Sequence, residues 1–499
     1  MTPFTPSDYL LCNIPALRTF LVYVTGLGYS ENTVRKRLGL KDITELQIRA
    51  IPIYRKECLA LRTPLDIAID LFLLQGTIQA EELIRLIDKE NLDVLIQCRV
   101  LSIDGFGAAF ANVSLYPVGD RLIFSDHAWP QLFLNDYLSH VPYDQVMYVG
   151  TDSRWLARAT VRQPVKAALD LCTGSGIHAL LAATHAKRTL AVDINLKAVQ
   201  CTQFNAQVLG MNTVEAVVGD LYENVKDEKF DLITANPPFV PSPENTISYR
   251  DGGRSGEDVQ RRIVEGLAEH LAPDGMAQIV TELGERDGEP IVDRIRQWLC
   301  GAPMDIHVLR LRDNSVSSYS IGHAQGDTPR SFLESVDAWA SNLKTHGYNS
   351  VISLLLTFQW SDPKYGLPWN RVDMALPPSR NSGKEIEAVF AAERLSRDPD
   401  LREKIKRSKL RQTGPVILLD GHLSGSDRFT TCKATLSGQG IPLEHYLNPI
   451  ERDLLECMHG VVDFSTLQSI ACKINVEEET LYEALRSLLR KGLVKLVEP

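Results

Sequence analysis

Short apolar runs alternate with helical patterns from residue 166 to about residue 360, and this alternation constrains the fold more than any other feature. It is typical of βαβ units, whose strands pair in parallel. The strand candidates are residues 167–171, 189–192, 215–218, 230–235, 277–281, 306–311 and 351–358. We therefore predict an α/β core built on a doubly wound sheet of seven strands.

A glycine loop follows the first of these strands and opens a helix. The segment runs Asp170-Leu-Cys-Thr-Gly-Ser-Gly176. A strand-to-helix turn this tight requires residues without Cβ, and it lets a ligand approach the main chain closely. Taken alone, the loop is also typical of a dinucleotide-binding site or of a purely structural turn.

Two acidic residues follow the next two strands. Asp193 ends the second strand, about 20 residues after the loop, where an acid accepts hydrogen bonds from ribose hydroxyls. Asp220 follows the third strand, at a position suited to the exocyclic amine of an adenine. Together with the glycine loop, these acids indicate a nucleoside site.

The fourth strand ends in Asn236-Pro237-Pro238-Phe239. Tandem prolines fix the backbone and remove two N–H donors, which leaves carbonyl oxygens as acceptors beside the Asn236 side chain. Such a group of acceptors suits a planar NH₂ group, and Phe239 is available to stack on its face. A dehydrogenase has no use for this segment.

With these four motifs in order, residues 148 to about 360 resemble the class I S-adenosylmethionine-dependent methyltransferases. The resemblance is to the "small" methyltransferase domain group, which includes the HemK-like glutamine methyltransferases and RNA amine methyltransferases. A further likeness is Tyr249-Arg-Asp-Gly-Gly-Arg254-Ser-Gly, which resembles the Gly-Gly-x-x-Gly segment of the HemK-like branch. The resemblance implies a Rossmann-like methyltransferase core and S-adenosyl-L-methionine as cofactor, with S-adenosyl-L-homocysteine as product.

The resemblance also implies residue roles. Asn236 and the Pro237 carbonyl would hold the acceptor nitrogen in line with the sulfonium methyl, and Phe239 would pack over the acceptor. Substrate contacts are expected from Pro238, Tyr249, Arg250 and Arg254, although solvated loop arginines are an equal alternative. The expected cofactor-binding residues are Asp170, Cys172, Thr173, Gly174, Gly176, Asp193, Ile194, Asp220, Leu221 and Asn236. No metal site is predicted. For Asp152, a helix N-cap is preferred over a cofactor contact.

The flanking regions exceed what a minimal methyltransferase needs. We predict a helical N-terminal domain (1–98), a β-rich connecting segment (99–147), the methyltransferase domain (148–361), an α+β extension (362–445) and a winged-helix-like module (446–499). Residues 394–411 hold eight Lys or Arg and three Asp or Glu. This basic run is interpreted either as a phosphate contact or as a solvated helix with ion pairs along it. The terminal module holds six basic and nine acidic residues, which favours packing over DNA reading.

Composition limits the kinds of protein that this chain can be. The formal net charge of −10 argues against a chain whose whole surface grips nucleic acid. Nine scattered cysteines, with no C-x-x-C pair, favour a reducing compartment over a disulfide framework. No stretch approaches the roughly 20 apolar residues of a membrane span. We therefore expect a cytoplasmic protein.

The sequence favours an N-methyltransferase that acts on a protein or peptide amide, or on a small amino-acid-derived metabolite. These two acceptor classes rank equally. An RNA exocyclic-amine methyltransferase ranks behind them, and a non-catalytic, cofactor-sensing winged-helix regulator is the second alternative. A homodimer is left open. The intact Asn236 segment argues against the regulator, because a sensor does not need residues that grip a nitrogen.

Overall fold

The computed structural model describes residues 5–47, 50–127, 143–244, 246–422, 430–473 and 475–497. The chain divides into two compact units. The first comprises Met1–Ala157, Gln163–Ala302 and Asp313–Leu356; the second comprises Arg158–Arg162, Pro303–Arg312 and Thr357–Pro499. Within the described ranges, no helix combines the length and apolarity needed to cross a bilayer.

The N-terminal part is mainly helical and includes a short strand. Its helices are α1 (Pro6–Leu11), α2 (Ile14–Gly26), α3 (Glu31–Arg37), α4 (Ile51–Ile53), α5 (Pro64–Ala68), α6 (Ala80–Leu86) and α7 (Lys89–Gln97). Its strands are β1 (Thr77–Gln79), β2 (Leu101–Ile103), β3 (Ala108–Ala111), β4 (Ser114–Val118) and β5 (Arg121–Ser125). β1 pairs antiparallel with β3, and its central residue, Ile78, is buried. Part of the predicted β-rich segment, 128–142, lies outside the described residues.

Every predicted core strand is present. The strands are β6 (Val165–Leu171), β7 (Ala186–Asp193), β8 (Val214–Val218), β9 (Phe230–Ala235), β10 (Leu271–Glu285), β11 (Met304–Ser315), β12 (Ser350–Trp360) and β13 (Asn370–Met374). β13 was assigned to the C-terminal extension, yet it pairs in parallel with β11. The predicted strand count of seven was therefore one short.

The strand order in the first unit is β12-β10-β9-β6-β7-β8. β6 pairs in parallel with both β7 and β9, so the chain winds outward from β6 in both directions. In such a doubly wound sheet, ligands bind beyond the carboxyl ends of the strands, where the winding direction reverses. The helices of this region are α8 (Thr151–Ala159), α9 (Ile177–Ala182), α10 (Leu196–Val208), α11 (Asp258–His270), α12 (Ile291–Trp298), α13 (Val316–His323) and α14 (Pro329–Thr345).

The N-terminal helices pack on α10, and this contact supports the site. The ring of Tyr9 lies 5.3 Å from that of Phe204, which in turn lies 5.3 Å from Phe124 of β5. All three rings are buried in one continuous apolar core. Burial of this much apolar area is the main stabilising contribution to folding.

The second unit carries the rest of the chain. Its helices are α15 (Gly383–Ser396), α16 (Leu401–Arg407), α17 (Pro449–Cys457), α18 (Phe464–Lys473) and α19 (Glu478–Arg490). Its remaining strands are β14 (Lys409–Gln412), β15 (Val416–His422), β16 (Thr430–Leu436), β17 (His445–Leu447), β18 (Val462–Asp463) and β19 (Val494–Val497). β14 pairs antiparallel with β18 and β19. After residue 448 the elements follow in the order α17, β18, α18, α19 and β19, and the winged-helix assignment stays a prediction.

Candidate functional site

The candidate site begins beneath the glycine loop, at Asp170 near the end of β6. Its carboxylate accepts hydrogen bonds from the hydroxyls of Thr173 at 2.6 Å and Thr234 at 2.8 Å, and from the Ala179 amide at 3.2 Å. All of these partners are neutral groups. Burial raises the pKa of Asp170 to about 7, although the three hydrogen bonds oppose that shift. Asp170 thus fixes the loop through its hydrogen bonds to Thr173 in the loop and Ala179 in the following helix.

The two glycines of the loop adopt backbone conformations that disfavour other residues. Gly174 has a φ of 57° and Gly176 a φ of 83°. A Cβ on Gly176 would lie 2.8 Å from Cγ2 of Thr202, a residue of α10. The Thr202 hydroxyl also donates to the Gly174 carbonyl, and the Asn205 amide donates to the Ser175 carbonyl. The loop is therefore held from both sides.

Asp193 lies at the end of β7 and faces the loop. One carboxylate oxygen accepts from the Gly174 amide and the other from the Asn195 amide, both at 2.9 Å. Burial raises the pKa of Asp193, and these backbone amides counteract the shift. The next residue, Ile194, is 73% exposed, which leaves an apolar side chain available to a ligand ring.

Asp220 has a partner that the sequence did not indicate. Its carboxylate accepts a hydrogen bond at 2.8 Å from Arg262, a residue of α11. Adjacent Leu221 is buried and has a φ of 52°, an unusual value for a residue with a Cβ. Both residues of this ion pair line the cavity described below.

Asn236 follows β9 and is held by the first turn of α8. Its Nδ2 donates to Oδ2 of Asp152 at 3.1 Å and to Oγ of Ser153 at 3.0 Å. Its Oδ1 is buried and has no hydrogen-bond partner within the described part of the chain. Burial raises the pKa of Asp152, and the Asn236 hydrogen bond lowers it. A buried acceptor without a partner marks a place for a donor group.

The Pro-Pro-Phe segment is fixed by the polar loop that follows it. The amides of Phe239 and Val240 both donate to the Arg250 carbonyl, at 3.1 and 2.9 Å. The loop approaches so closely that a Cβ on Gly252 would lie 2.7 Å from the Pro238 carbonyl oxygen. Phe239 itself packs against a buried cluster that includes Trp339.

A cavity of about 580 Å³ connects these groups. The predicted residues in its wall are Cys172, Thr173, Gly174, Asp193, Ile194, Asp220, Leu221, Asn236, Pro238 and Tyr249. The predicted residues outside its wall are Asp170, Gly176, Pro237, Phe239, Arg250 and Arg254. Within the described ranges, no group of three or more His, Cys, Asp or Glu side chains has the arrangement of a metal site.

The two loop arginines do not face the cavity. Arg250 forms an ion pair with Asp251 at 2.7 Å, and its guanidinium lies 5.6 Å from the centre of the Trp339 ring. Arg254 is exposed, and its carbonyl accepts a hydrogen bond from Asn342. Both arginines belong to the scaffold of the polar loop in this structure.

Sequence reasoning missed three contributors to the site. Residues 143–148 line the cavity, and Ser248 and Asn195 donate to the carbonyls of Tyr143 and Asp144. Arg262 lines it as well, and Asp152 and Ser153 hold Asn236. Only Asp152 gave a signal, as an acid at a helix start. Its side chain reaches Asn236, 84 residues away, which the preference for an N-cap did not anticipate.

The comparisons with known proteins agree on one family. The sequence model of the methyltransferase small domain matches residues 149–289. The chain is 39% identical over 142 residues to the ribosomal protein uL3 glutamine methyltransferase of Bradyrhizobium diazoefficiens, covering 26% of this chain and 43% of that protein. It is 30% identical to the release factor glutamine methyltransferase of Thermodesulfovibrio yellowstonii, covering 25% of this chain and 48% of that protein. The chain thus spans less than half the length of both relatives.

A third relative is covered more fully. It is a protein of Methanocaldococcus jannaschii, provisionally named a protein N5-glutamine methyltransferase, that is 32% identical over 145 residues. The matched segment covers 28% of this chain and 73% of that protein. Residues 149–289, which the family model matches, contain the glycine loop, both acids and the Asn-Pro-Pro-Phe segment. The chain therefore belongs to the class I S-adenosylmethionine-dependent methyltransferases, in the small-domain, HemK-like group.

Proposed function

We propose that this chain transfers a methyl group from S-adenosylmethionine to the side-chain amide nitrogen of a glutamine in a protein. The observation that carries the proposal is the buried Oδ1 of Asn236 in the cavity wall, which has no hydrogen-bond partner in the described part of the chain. An acceptor oxygen held in this way suits a ligand NH₂ group. The names of the three relatives, each a glutamine methyltransferase, support an amide as that group.

The wall of the cavity fits the cofactor. Among its described side chains, the acids are Asp144, Asp193, Asp220 and Asp251, and the only Lys or Arg is Arg262. An acidic wall attracts a cation such as a sulfonium. Asp193 would hold the ribose, the Gly174 loop the amino-acid part, and Ile194 with Leu221 the adenine. When bound, S-adenosylmethionine supplies an electrophilic methyl group.

The residues near Asn236 would make the acceptor nitrogen reactive. An amide NH₂ is a poor nucleophile because its lone pair is delocalised into the carbonyl group. Hydrogen bonds from the NH₂ group to an acceptor such as Asn236 Oδ1, which lies in the cavity wall, would raise the electron density on nitrogen. They strengthen as positive charge develops, and so they favour the transition state over the ground state. In the proposed transfer, the methyl group would pass from sulfur to the nitrogen held by Asn236, S-adenosylhomocysteine would leave, and the nitrogen would release one proton to water.

Mass spectrometry of defined proteins tests the proposal. The purified chain is incubated with methyl-labelled S-adenosylmethionine and either ribosomal protein uL3 or a release factor, and peptides are searched for a methylated glutamine. We expect label on a glutamine with the wild type and with the exposed control Asn32→Ala, but none with Asn236→Ala. Labelling of other residue types alone would contradict the proposal.

The same assay separates the remaining alternatives. A cofactor-sensing regulator would bind S-adenosylhomocysteine in a calorimetric titration and methylate neither protein. An RNA methyltransferase would label total RNA in place of protein, and a metabolite enzyme would label neither polymer. A cytoplasmic location, proposed from the nine single cysteines, is consistent with a protein acceptor; none of the nine is in a disulfide.

A further inference from the structure

We infer that Asp152 and Ser153 are positioning residues, which fix the end of the Asn236 amide that faces the acceptor. An asparagine amide has a donor end and an acceptor end of nearly equal size. A carboxylate can only accept hydrogen bonds, so the end that meets Oδ2 of Asp152 has to be the NH₂ group. Because Ser153 accepts from the same nitrogen, both Nδ2 protons are directed toward α8.

This arrangement determines what the acceptor meets. With Nδ2 directed toward α8, Oδ1 is the end that has no hydrogen-bond partner among the residues the structure describes. A rotation of about 180° around the last side-chain bond would place an NH₂ group there, donor against donor. A substrate NH₂ group would then lose a hydrogen bond that has to strengthen in the transition state. The inference rests on the proposed function, since it explains how that function's key oxygen is presented.

The start of α8 leaves space for the Asp152 carboxylate. A Cβ on Gly150 would lie 2.7 Å from Oδ1 of Asp152 and 3.3 Å from the end of Met147. The glycine before the helix therefore leaves room for the side chain that holds Asn236. Ser153 is buried and lines the cavity directly. Both residues thus contact Nδ2 of Asn236, Ser153 from within the cavity wall and Asp152 from outside it.

Kinetics of matched variants test the role. Asp152→Ala should lower kcat by roughly tenfold to a hundredfold through loss of the orienting hydrogen bond. The Kd of S-adenosylhomocysteine and the KM of the acceptor should change less than about threefold, as expected for an effect confined to the transition state. Asp152→Asn should recover most of the loss, because an amide oxygen accepts the same hydrogen bond. The control is Asp293→Ala, which removes an exposed acid from the first turn of α12.

Two kinetic results would overturn the inference while leaving the proposed function standing. The first is an Asp152→Ala variant as active as the wild type. The second is an Asp152→Asn variant as impaired as Asp152→Ala, which would assign the effect to charge and not to amide orientation. If wild type transfers no methyl group at all, the proposed function fails, and the inference is then decided by a second measurement.

That measurement needs no substrate. Asparagine labelled with ¹⁵N in the side chain gives a pair of amide proton signals for Asn236, identified by their disappearance in Asn236→Ala. In the wild type, hydrogen bonds to Asp152 and Ser153 should slow exchange of these protons with water. Asp152→Ala should speed the exchange at least about tenfold, and Asp152→Asn should restore it. Equal exchange rates in all three proteins would refute the inference.

Discussion

Asp170 and Asp373 are both buried aspartates, yet their pKa values are shifted in opposite directions. Burial raises the pKa of Asp170 to about 7, since its partners are two hydroxyls and one amide. Burial also acts to raise the pKa of Asp373, but the hydrogen bond from His307 and the charge of Arg371 outweigh it and hold the pKa well below its usual range. Arg371 lies 2.7 Å from Asp373, and His307 lies 3.0 Å from it.

The two surroundings indicate different roles. In the second unit, Arg371 also contacts Glu393 at 3.4 Å, and Arg490 contacts Glu393 at 2.8 Å, so opposite charges are matched inside the protein. The nearby cavity is only about 60 Å³. In the first unit, Arg262 and Arg250 pair with Asp220 and Asp251 of the cavity wall, which leaves Asp144 and Asp193 without a Lys or Arg partner among the described residues. A cluster whose charges are matched indicates structure, whereas an unmatched excess beside a large cavity indicates a cationic ligand.

The largest expected effect is the loss of the matched charges. Arg371→Leu should lower the free energy of unfolding of the second unit by about 3–5 kcal/mol, because Asp373 and Glu393 lose a buried partner. Urea unfolding followed by the fluorescence of buried Trp369 measures it. The control is Arg330→Leu. The Arg330 side chain is 89% exposed and pairs with Glu334, so its loss should change the unfolding free energy by less than about 0.5 kcal/mol. Equal effects from both variants would refute a structural role for the cluster.

The second prediction concerns Asp170, the buried aspartate whose hydrogen-bond partners are all neutral. The folded pKa of Asp170 is about 7, above the unfolded value of 3.8, so its contribution to stability is fully present below pH 3.8 and is lost as the pH rises through 7. Relative to Asp170→Asn, the wild type should therefore lose up to about 4 kcal/mol of unfolding free energy between pH 4 and pH 8.

Denaturation at several pH values measures this difference. Exposed Asp293→Asn should leave the pH profile unchanged. Asp373→Asn should change the profile in the opposite sense, because a depressed pKa gives stability that is lost as the pH falls. If the unfolding free energies of the wild type and of Asp170→Asn changed with pH in parallel, the pKa of Asp170 would not be raised by folding.

The third prediction tests the glycine loop. Gly176→Ala combines a left-handed backbone with a contact of 2.8 Å to Thr202, so it should weaken S-adenosylhomocysteine binding by roughly tenfold to a hundredfold. Calorimetric titration measures this. Gly288→Ala is the control, because Gly288 has a φ of 74° and open space around it, so strain without a clash should leave affinity unchanged. Full affinity in Gly176→Ala would remove the loop from the site.

Much of this site was predictable because parallel strands end at one edge of the sheet. Asp170, Asp193 and Asn236 each end or follow a strand, and the sheet brings them together whatever the surrounding helices do. Asp152 and Arg262 were not predictable, since their partners lie on other elements and the packing of α8 and α11 selects them. The same reason explains Arg250, whose ion pair with its neighbour Asp251 left it outside the cavity wall.

The basic run of residues 394–411 gives the smallest expected effect. In the structure, Arg402 pairs with Glu479 at 2.8 Å, Lys406 with Glu478 at 3.4 Å, and Arg407 with Glu403 at 3.7 Å. These partners support the ion-paired helix over a phosphate contact. Glu403 is a local i,i+4 partner, whereas Glu478 and Glu479 lie too far along the sequence for the local pattern to reveal them. Exposed ion pairs add little to stability because water and salt screen them.

Arg402→Ala should accordingly lower the unfolding free energy by less than about 1 kcal/mol, and 0.5 M NaCl should remove most of the difference. Urea unfolding at low and high salt measures it. The guanidinium also lies 5.1 Å from the centre of the Tyr482 ring, so Arg402→Lys, which keeps the charge, is the matched control. A decrease in unfolding free energy as large as that expected for Arg371→Leu would contradict this prediction. It would mean that the surface ion pairs of the second unit are coupled to its buried cluster, so that exposed and buried charges contribute alike.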